Sequence, residues 1–157
     1  MTPLGMGDVK DLIPEEDLKL FGKIKDVVRQ ISNISFENFG LGDDTISCHV
    51  LVRSLEPFFE VKIVDGFFLN YYNHSWLVTP SGNVIDVYPV GILEGPILVE
   101  GIYNLAPALK MYKKVRDNYY KERFSKPEFK GAVEILTEEV KKIISEIFPD
   151  HLVKELT

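Results

Sequence analysis

The chain is predicted to be a single α+β domain, residues 1–157, in which a small antiparallel sheet packs against a cysteine-bearing helix and further helices lie before and after it. Three observations predict this fold. Apolar residues recur at helical spacing in long segments near either end. Short runs rich in Val, Ile, Phe, Tyr and Trp lie between them, separated by turn residues. The length of 157 residues, with 45% hydrophobic and 27% charged side chains, fits one globular domain.

Helices are predicted towards both ends of the chain. Residues 1–13 are interpreted as a loose arm, and a helix then runs from Pro14, which suits a first helical turn, to about Asn33. A second long helix is predicted over about residues 105–124 and a third over about 127–148. The third carries an apolar stripe: Val133, Leu136, Val140, Ile143, Ile144 and Ile147.

A short helix is predicted over about residues 47–56, ended by Pro57. Thr45 or Ser47 can cap its start. Cys48, the single cysteine of the chain, therefore lies at a helix N-terminus. Backbone N–H groups and the helix dipole there favour a thiolate, and they can also hold an oxyanion. The alternative interpretation is a buried structural cysteine.

Strands are predicted over residues 60–64, 74–79 and 83–88, with a shorter fourth strand at 96–100. An extension of the first strand past Gly66 to Leu69 stays open. The run Thr79-Pro80-Ser81-Gly82-Asn83 between the second and third strands suits a three-residue hairpin loop. Pro and Ser fit the two central positions of a type I turn, and the glycine fits the left-handed conformation that follows.

This loop determines the register of the hairpin. It pairs Trp76 with Asp86 and His74 with Tyr88, so that all four share one face of the sheet. His74 and Asp86 become diagonal neighbours, within reach of each other. An unpaired buried carboxylate is costly, so Asp86 needs such a partner. The residues predict a catalytic triad: Cys48 as nucleophile, His74 as base and Asp86 as the group that orients the base.

The sequence offers other candidate residues beside this triad. His49 is the rival base, but adjacent helical positions point about 100° apart, so it is not expected to face Cys48. Trp76, Tyr88 and Asn73 are candidates for substrate binding, although aromatic residues in this part of the chain mostly belong to the core. No cofactor and no metal site are predicted, because one Cys and three His lack a ligand spacing such as Cys-x-x-Cys.

The charge balance excludes some classes of partner. A net charge of −6 argues against nucleic acid. The densest basic cluster is interpreted as a solvated face of the helix predicted at 105–124. No apolar run approaches the roughly 18 residues of a membrane span, and the first residues lack a signal-peptide pattern. These observations predict a cytoplasmic protein without nucleic-acid or membrane partners, and they leave its oligomeric state open. The basic cluster on the helix predicted at 105–124 comprises Lys110, Lys113, Lys114 and Arg116.

Residues 48–89 resemble the catalytic core of the transglutaminase-like superfamily, part of the broader papain-like group. In that superfamily the cysteine begins a helix packed on a sheet. Its histidine is followed by a small residue and Trp, as in His74-Ser75-Trp76. Its aspartate follows a turn and an apolar pair, as in Ser81-Gly82-Asn83-Val84-Ile85-Asp86.

The resemblance implies acyl-transfer chemistry through a thioester on Cys48, with a peptide, protein or small amide as substrate. Hydrolysis of an amide bond is the favoured reaction, while deamidation and transamidation stay open. Thr45-Ile46-Ser47 before the cysteine differs from the Gly-x-Cys-Trp pattern of animal transglutaminases, which disfavours protein crosslinking. The alternative function is a catalytically inactive protein-binding module that retains the fold.

Overall fold

The computed structural model describes residues 12–31, 47–87, 96–103, 105–116 and 119–151. Short 3₁₀ helices at Glu56–Phe58 and Pro107–Met111 accompany the regular elements. In chain order these elements are α1 (Glu15–Ile31), α2 (Cys48–Leu55), β1 (Lys62–Phe68), β2 (Tyr72–Val78), β3 (Val84–Asp86), β4 (Ile97–Val99), β5 (Tyr112–Lys114), α3 (Lys121–Phe124) and α4 (Pro127–Ile147).

The strands form one sheet in the order β4-β3-β2-β1-β5, and each neighbouring pair is antiparallel. The predicted α+β class, the small antiparallel sheet and the helix that begins at Cys48 are therefore confirmed. Among the described residues, no helix has both the length and the apolar composition needed to cross a membrane.

Each face of the sheet covers its own hydrophobic cluster, because successive strand side chains point to opposite faces. One cluster contains Leu77 and Ile85 and is filled by the apolar sides of α1, α2 and α4. The other contains Phe68, Trp76 and Tyr112, and the segment around Ala106 and Ala108 covers it. His74 lies two residues before Trp76 on the same strand, and the register places Asp86 opposite Trp76. Both side chains therefore point to this second face.

Helix α2 begins as the sequence predicts. The Ser47 hydroxyl accepts a hydrogen bond from the His49 N–H at 3.1 Å, and Ser47 is the N-cap residue. Pro57 lies in the 3₁₀ helix that follows. Most side chains of α2 are buried, because the helix lies between the sheet and α4. The other candidate cap, Thr45, lies outside the described residues.

The N-terminal segment is more firmly packed than predicted. Ile13, assigned to the loose arm, is buried in the core; residues 1–11 lie outside the described residues. Asp17, in the first turn of α1, is also buried. Its Oδ2 accepts hydrogen bonds from Thr79 Oγ1 and Asn83 Nδ2, both at 2.7 Å. This carboxylate therefore anchors α1 to the β2–β3 hairpin.

The prediction of a helix over residues 105–124 is wrong. The structure has a 3₁₀ helix there, then β5 and the single turn of α3. Tyr112 pairs with Phe68 and Lys114 with Gly66, so β5 satisfies backbone groups along the outer edge of β1. Lys113 and Lys114 consequently lie exposed on an edge strand rather than on a helix, a position where lysine discourages further strand pairing.

Candidate active site

The β2–β3 hairpin has the predicted three-residue loop. The Gly82 N–H donates to Thr79 O at 2.9 Å, and the Thr79 N–H donates to Asn83 O at 2.8 Å. Gly82 has a φ of 103°, the left-handed region that glycine adopts readily. Leu77 pairs with Ile85, a register that places Trp76 opposite Asp86. The register prediction is therefore confirmed over the described residues.

His74 and Asp86 form a buried ion pair across this hairpin. His74 Nε2 donates to Asp86 Oδ2 at 2.9 Å. Each residue is only 1% exposed. Since bulk water does not compete at such a site, the carboxylate holds the imidazole ring in one orientation and fixes which nitrogen carries this proton.

Cys48 is the second hydrogen-bond partner of the imidazole. Burial lowers the pKa of His74, but hydrogen bonds to Asp86 and Cys48 and the charges of both groups outweigh burial and raise the pKa to about 9. His74 is therefore an imidazolium at neutral pH. Because Nε2 is bonded to Asp86, Nδ1 is the ring nitrogen left for Cys48. The structure thus brings Cys48, His74 and Asp86 together in that order.

The position of Cys48 follows from the start of α2. It is the first residue of the helix, directly after the Ser47 cap, and it is 5% exposed. The first-turn N–H groups of His49, Val50 and Leu51 donate to Ser47, through its hydroxyl or its carbonyl oxygen. The Cys48 N–H, beside the sulfur atom, is therefore the group of this turn that can face a negative charge, together with the helix dipole.

Tyr112 is a member of the cluster that sequence reasoning missed. Its hydroxyl donates to Asp86 Oδ2 at 2.7 Å, so one carboxylate oxygen accepts hydrogen bonds from both Tyr112 and His74. Burial and the nearby Asp86 charge raise the pKa of Tyr112, which keeps the phenol protonated. The only signal in the sequence was the need of a buried carboxylate for partners; nothing local pointed to a residue of β5.

Aromatic rings surround the imidazole. Trp76 stacks beside His74 with ring centroids 6.0 Å apart, and Phe68 meets it edge-on at 5.8 Å. Trp76 is buried, whereas Asn73 is exposed and lies 3.3 Å from the Tyr120 hydroxyl through its Oδ1. Tyr88 lies outside the described residues. Substrate binding by these three residues, Trp76, Asn73 and Tyr88, stays a prediction.

His49 takes part in a different network. Its Nδ1 lies 2.5 Å from Ser75 Oγ, and the Ser75 hydroxyl donates to Asp65 Oδ1. Arg53 completes the chain with a 2.8 Å ion pair to Asp65. Burial, followed by the charge of Arg123, lowers the pKa of His49 to about 3, so this histidine is neutral. The network ties the first turn of α2 to strands β1 and β2.

Within the described part of the chain, no group of three or more His, Cys, Asp and Glu side chains is arranged to hold a metal ion. No protein-family model, curated protein or solved structure matches the chain. The resemblance to the transglutaminase-like core therefore depends on the residues described above.

Proposed function

We propose that the protein is a cysteine-dependent acyl-transfer enzyme that hydrolyses an amide bond through a thioester intermediate. The observation that supports this most is the buried His74–Asp86 pair, which is hydrogen-bonded to a thiol at the first turn of a helix. Nucleophile, base and orienting carboxylate in this sequence of contacts are the parts that thiol acyl transfer requires.

In the first half-reaction the Cys48 thiolate attacks the amide carbonyl and forms a C–S bond. The Cys48 N–H at the start of α2 is the donor that stabilises the resulting oxyanion, because the next three N–H groups of the turn donate to Ser47. His74 gives its Nδ1 proton to the departing nitrogen as the C–N bond breaks. Asp86 keeps the Nε2 proton in place throughout, so the ring does not turn.

In the second half-reaction water replaces the released amine. His74, now neutral, accepts a proton from water as its oxygen attacks the thioester carbonyl. The C–S bond breaks, the carboxylic acid is released, and the Cys48 thiolate is restored. An amine in place of water would give transamidation, and a side-chain amide as substrate would give deamidation.

The proposed substrate class is a peptide, a protein or a small amide, bound beside His74 with contributions from Trp76, Tyr88 and Asn73. The transglutaminase-like core is the fold that we propose for residues 48–89. A nucleophilic thiol must stay reduced, so we place the protein in the cytoplasm.

A second candidate function is a protein-binding module that keeps this fold without catalysis. The observation in its favour is the burial of Cys48, which is 5% exposed. In such a protein the His74–Asp86 pair would have only a structural role, which is to stabilise the sheet.

Acetylation by p-nitrophenyl acetate distinguishes the two functions, because this small ester needs no specific binding site. The enzyme is expected to release nitrophenolate and to gain one acetyl group on Cys48 in intact-protein mass spectra. Cys48→Ala should gain none, and His74→Gln should react on the order of 10²-fold more slowly, the lower end for a lost general base. His151→Gln is the matched control, since His151 bonds Phe58 O away from the site. A wild-type protein that reacts no faster than Cys48→Ala would favour the binding module.

A further inference from the structure

Strand β5 contributes a side chain to the candidate site from the far edge of the sheet. It pairs with β1, while Asp86 lies on β3, two strands further along. The Tyr112 ring nevertheless lies 5.1 Å from Trp76 and 6.2 Å from His74 between ring centroids. Its hydroxyl ends at Asp86 Oδ2, 2.7 Å away.

The close approach of the Tyr112 and Trp76 rings depends on Gly66, which lies on β1 between β5 and β2. A Cβ atom at Gly66 would lie 2.0 Å from Lys113 O and 2.8 Å from Trp76 Cη2. Without that atom, the rings of Trp76 and Tyr112 can pack over the strand and extend towards Asp86. A phenylalanine at position 112 would fill the same apolar space, so packing alone does not explain the hydroxyl.

We propose that Tyr112 is a positioning residue of this site: its hydroxyl shares Asp86 Oδ2 with His74 and so limits how strongly the carboxylate attracts the imidazole ring. The inference rests on the proposed function, since it assigns a role within the same cluster. It extends that cluster beyond residues 48–89, the part of the chain that resembles a known family.

The consequence for His74 follows from the groups that face it: Cys48 and His49 from α2, Asp86 from β3 and Tyr112 from β5. A hydrogen bond from the phenol stabilises the negative charge on Asp86 Oδ2 and so weakens its attraction for the imidazolium. Without the phenol, the negative charge of Asp86 Oδ2 interacts more strongly with the protonated His74 ring through Nε2. Tyr112→Phe is therefore expected to raise the pKa of His74.

Imidazole ¹⁵N NMR titration measures this directly and needs no substrate. The three histidine signals can be distinguished by the loss of one in His74→Gln. We expect the midpoint of His74 to rise by about half a pH unit in Tyr112→Phe, a fraction of the shift that one charge-assisted hydrogen bond can cause. Tyr120→Phe is the matched control: it removes another hydroxyl, which donates to Gly66 O at 2.7 Å, and should leave the midpoint unchanged.

Two further titrations make the result independent of stability. Incorporation of 3-fluorotyrosine at Tyr112 gives a stronger donor of nearly the same shape and should lower the His74 midpoint. In an Asp86→Asn background, Tyr112→Phe should have no further effect. Equal midpoints in the wild type, Tyr112→Phe and the fluorinated protein would overturn the proposal. This outcome differs from failure of the proposed function, which is an unreactive Cys48 whatever the titration of His74.

Discussion

Asp86 is the residue on which the candidate site depends. Its burial would be costly without partners, and its Oδ2 accepts hydrogen bonds from His74 and from Tyr112. The first partner was predictable, because turn chemistry at residues 80–82 fixes the hairpin register. The second was not, because Tyr112 approaches through a pairing between strands far apart in the sequence.

Asp86→Asn keeps the shape of this side chain and removes its charge. The amide can present its N–H group to Nε2, which stabilises the tautomer that cannot donate there. We expect acetylation of Cys48 to slow on the order of 10–10³-fold, less than the ~10⁴ known for a serine nucleophile, because a thiol ionises more easily. The acetylation rate and the thermal unfolding midpoint should be measured together. A normal rate in the folded variant would exclude an orienting role for Asp86.

The two histidines near α2 illustrate how environment determines protonation. His74 has a carboxylate partner, and its pKa rises to about 9. His49 is buried, with a hydroxyl partner and nearby arginines, and burial first and then the charge of Arg123 lower its pKa to about 3. The sequence favoured His74 as the base from the hairpin register and from the different directions of adjacent helical positions. The neutral state of His49 depends first on burial and then on Arg123 and Arg53, surroundings that no local pattern predicts.

At the scale of elements, the sequence predicted most of the regular structure. Helices α1, α2 and α4 lie close to their predicted bounds because apolar residues recur at helical spacing, although Ile147 at the end of the predicted stripe is exposed. Strands β3 and β4 have only three residues each, but turn residues delimit all four predicted strands. Strand β5 was missed because three residues carry too little pattern, and pairing with the edge of β1 decides their conformation.

A substitution at Gly66 tests how closely β5 packs on β1. Gly66→Ala would place a methyl group 2.0 Å from Lys113 O, a backbone atom that cannot move without displacing β5. We expect the free energy of unfolding to fall by more than about 2 kcal/mol, in the range of overpacked cores, and amide exchange of residues 112–114 to accelerate.

Gly22→Ala is the matched control for that substitution. Gly22 lies within α1 with nothing inside 4 Å of a built Cβ, so alanine there should stabilise the protein by up to about 1 kcal/mol. Equal stability of Gly66→Ala and the wild type would contradict the close packing of β5 on β1.

At the scale of the whole molecule, hydrogen-bond networks connect the helices to the site-bearing hairpin. Asp17 joins α1 to the hairpin loop, and His49 joins α2 to Ser75. Because Cys48 adjoins His49 and His74 adjoins Ser75, the second contact also fixes the nucleophile relative to the base. The same buried groups make stability depend on pH.

The opposite pKa shifts of His74 and His49 predict a stability maximum near pH 6.5. The raised pKa of His74 contributes stability that is complete below about 6.5 and is lost as pH rises through about 9. The lowered pKa of His49 contributes stability that is lost as pH falls below about 6.5 towards 3. The alkaline limb is expected to amount to on the order of 3 kcal/mol and the acidic limb to on the order of 5 kcal/mol.

Urea unfolding at a series of pH values checks this expectation. His74→Gln should flatten the alkaline limb and leave the acidic one, while His49→Gln should do the reverse. A profile in which both variants keep the wild-type shape would show that other groups control the pH dependence.

The rate of Cys48 alkylation by iodoacetamide at pH 7 tests the central claim most directly, because Cys48 is the only thiol. If His74 and Asp86 hold an imidazolium beside the sulfur, the folded wild type should react at least about tenfold faster than His74→Gln. Both proteins should react equally once unfolded in urea. Equal rates in the folded proteins, or a wild type that reacts only after unfolding, would contradict an activated nucleophile and leave Cys48 as a structural residue.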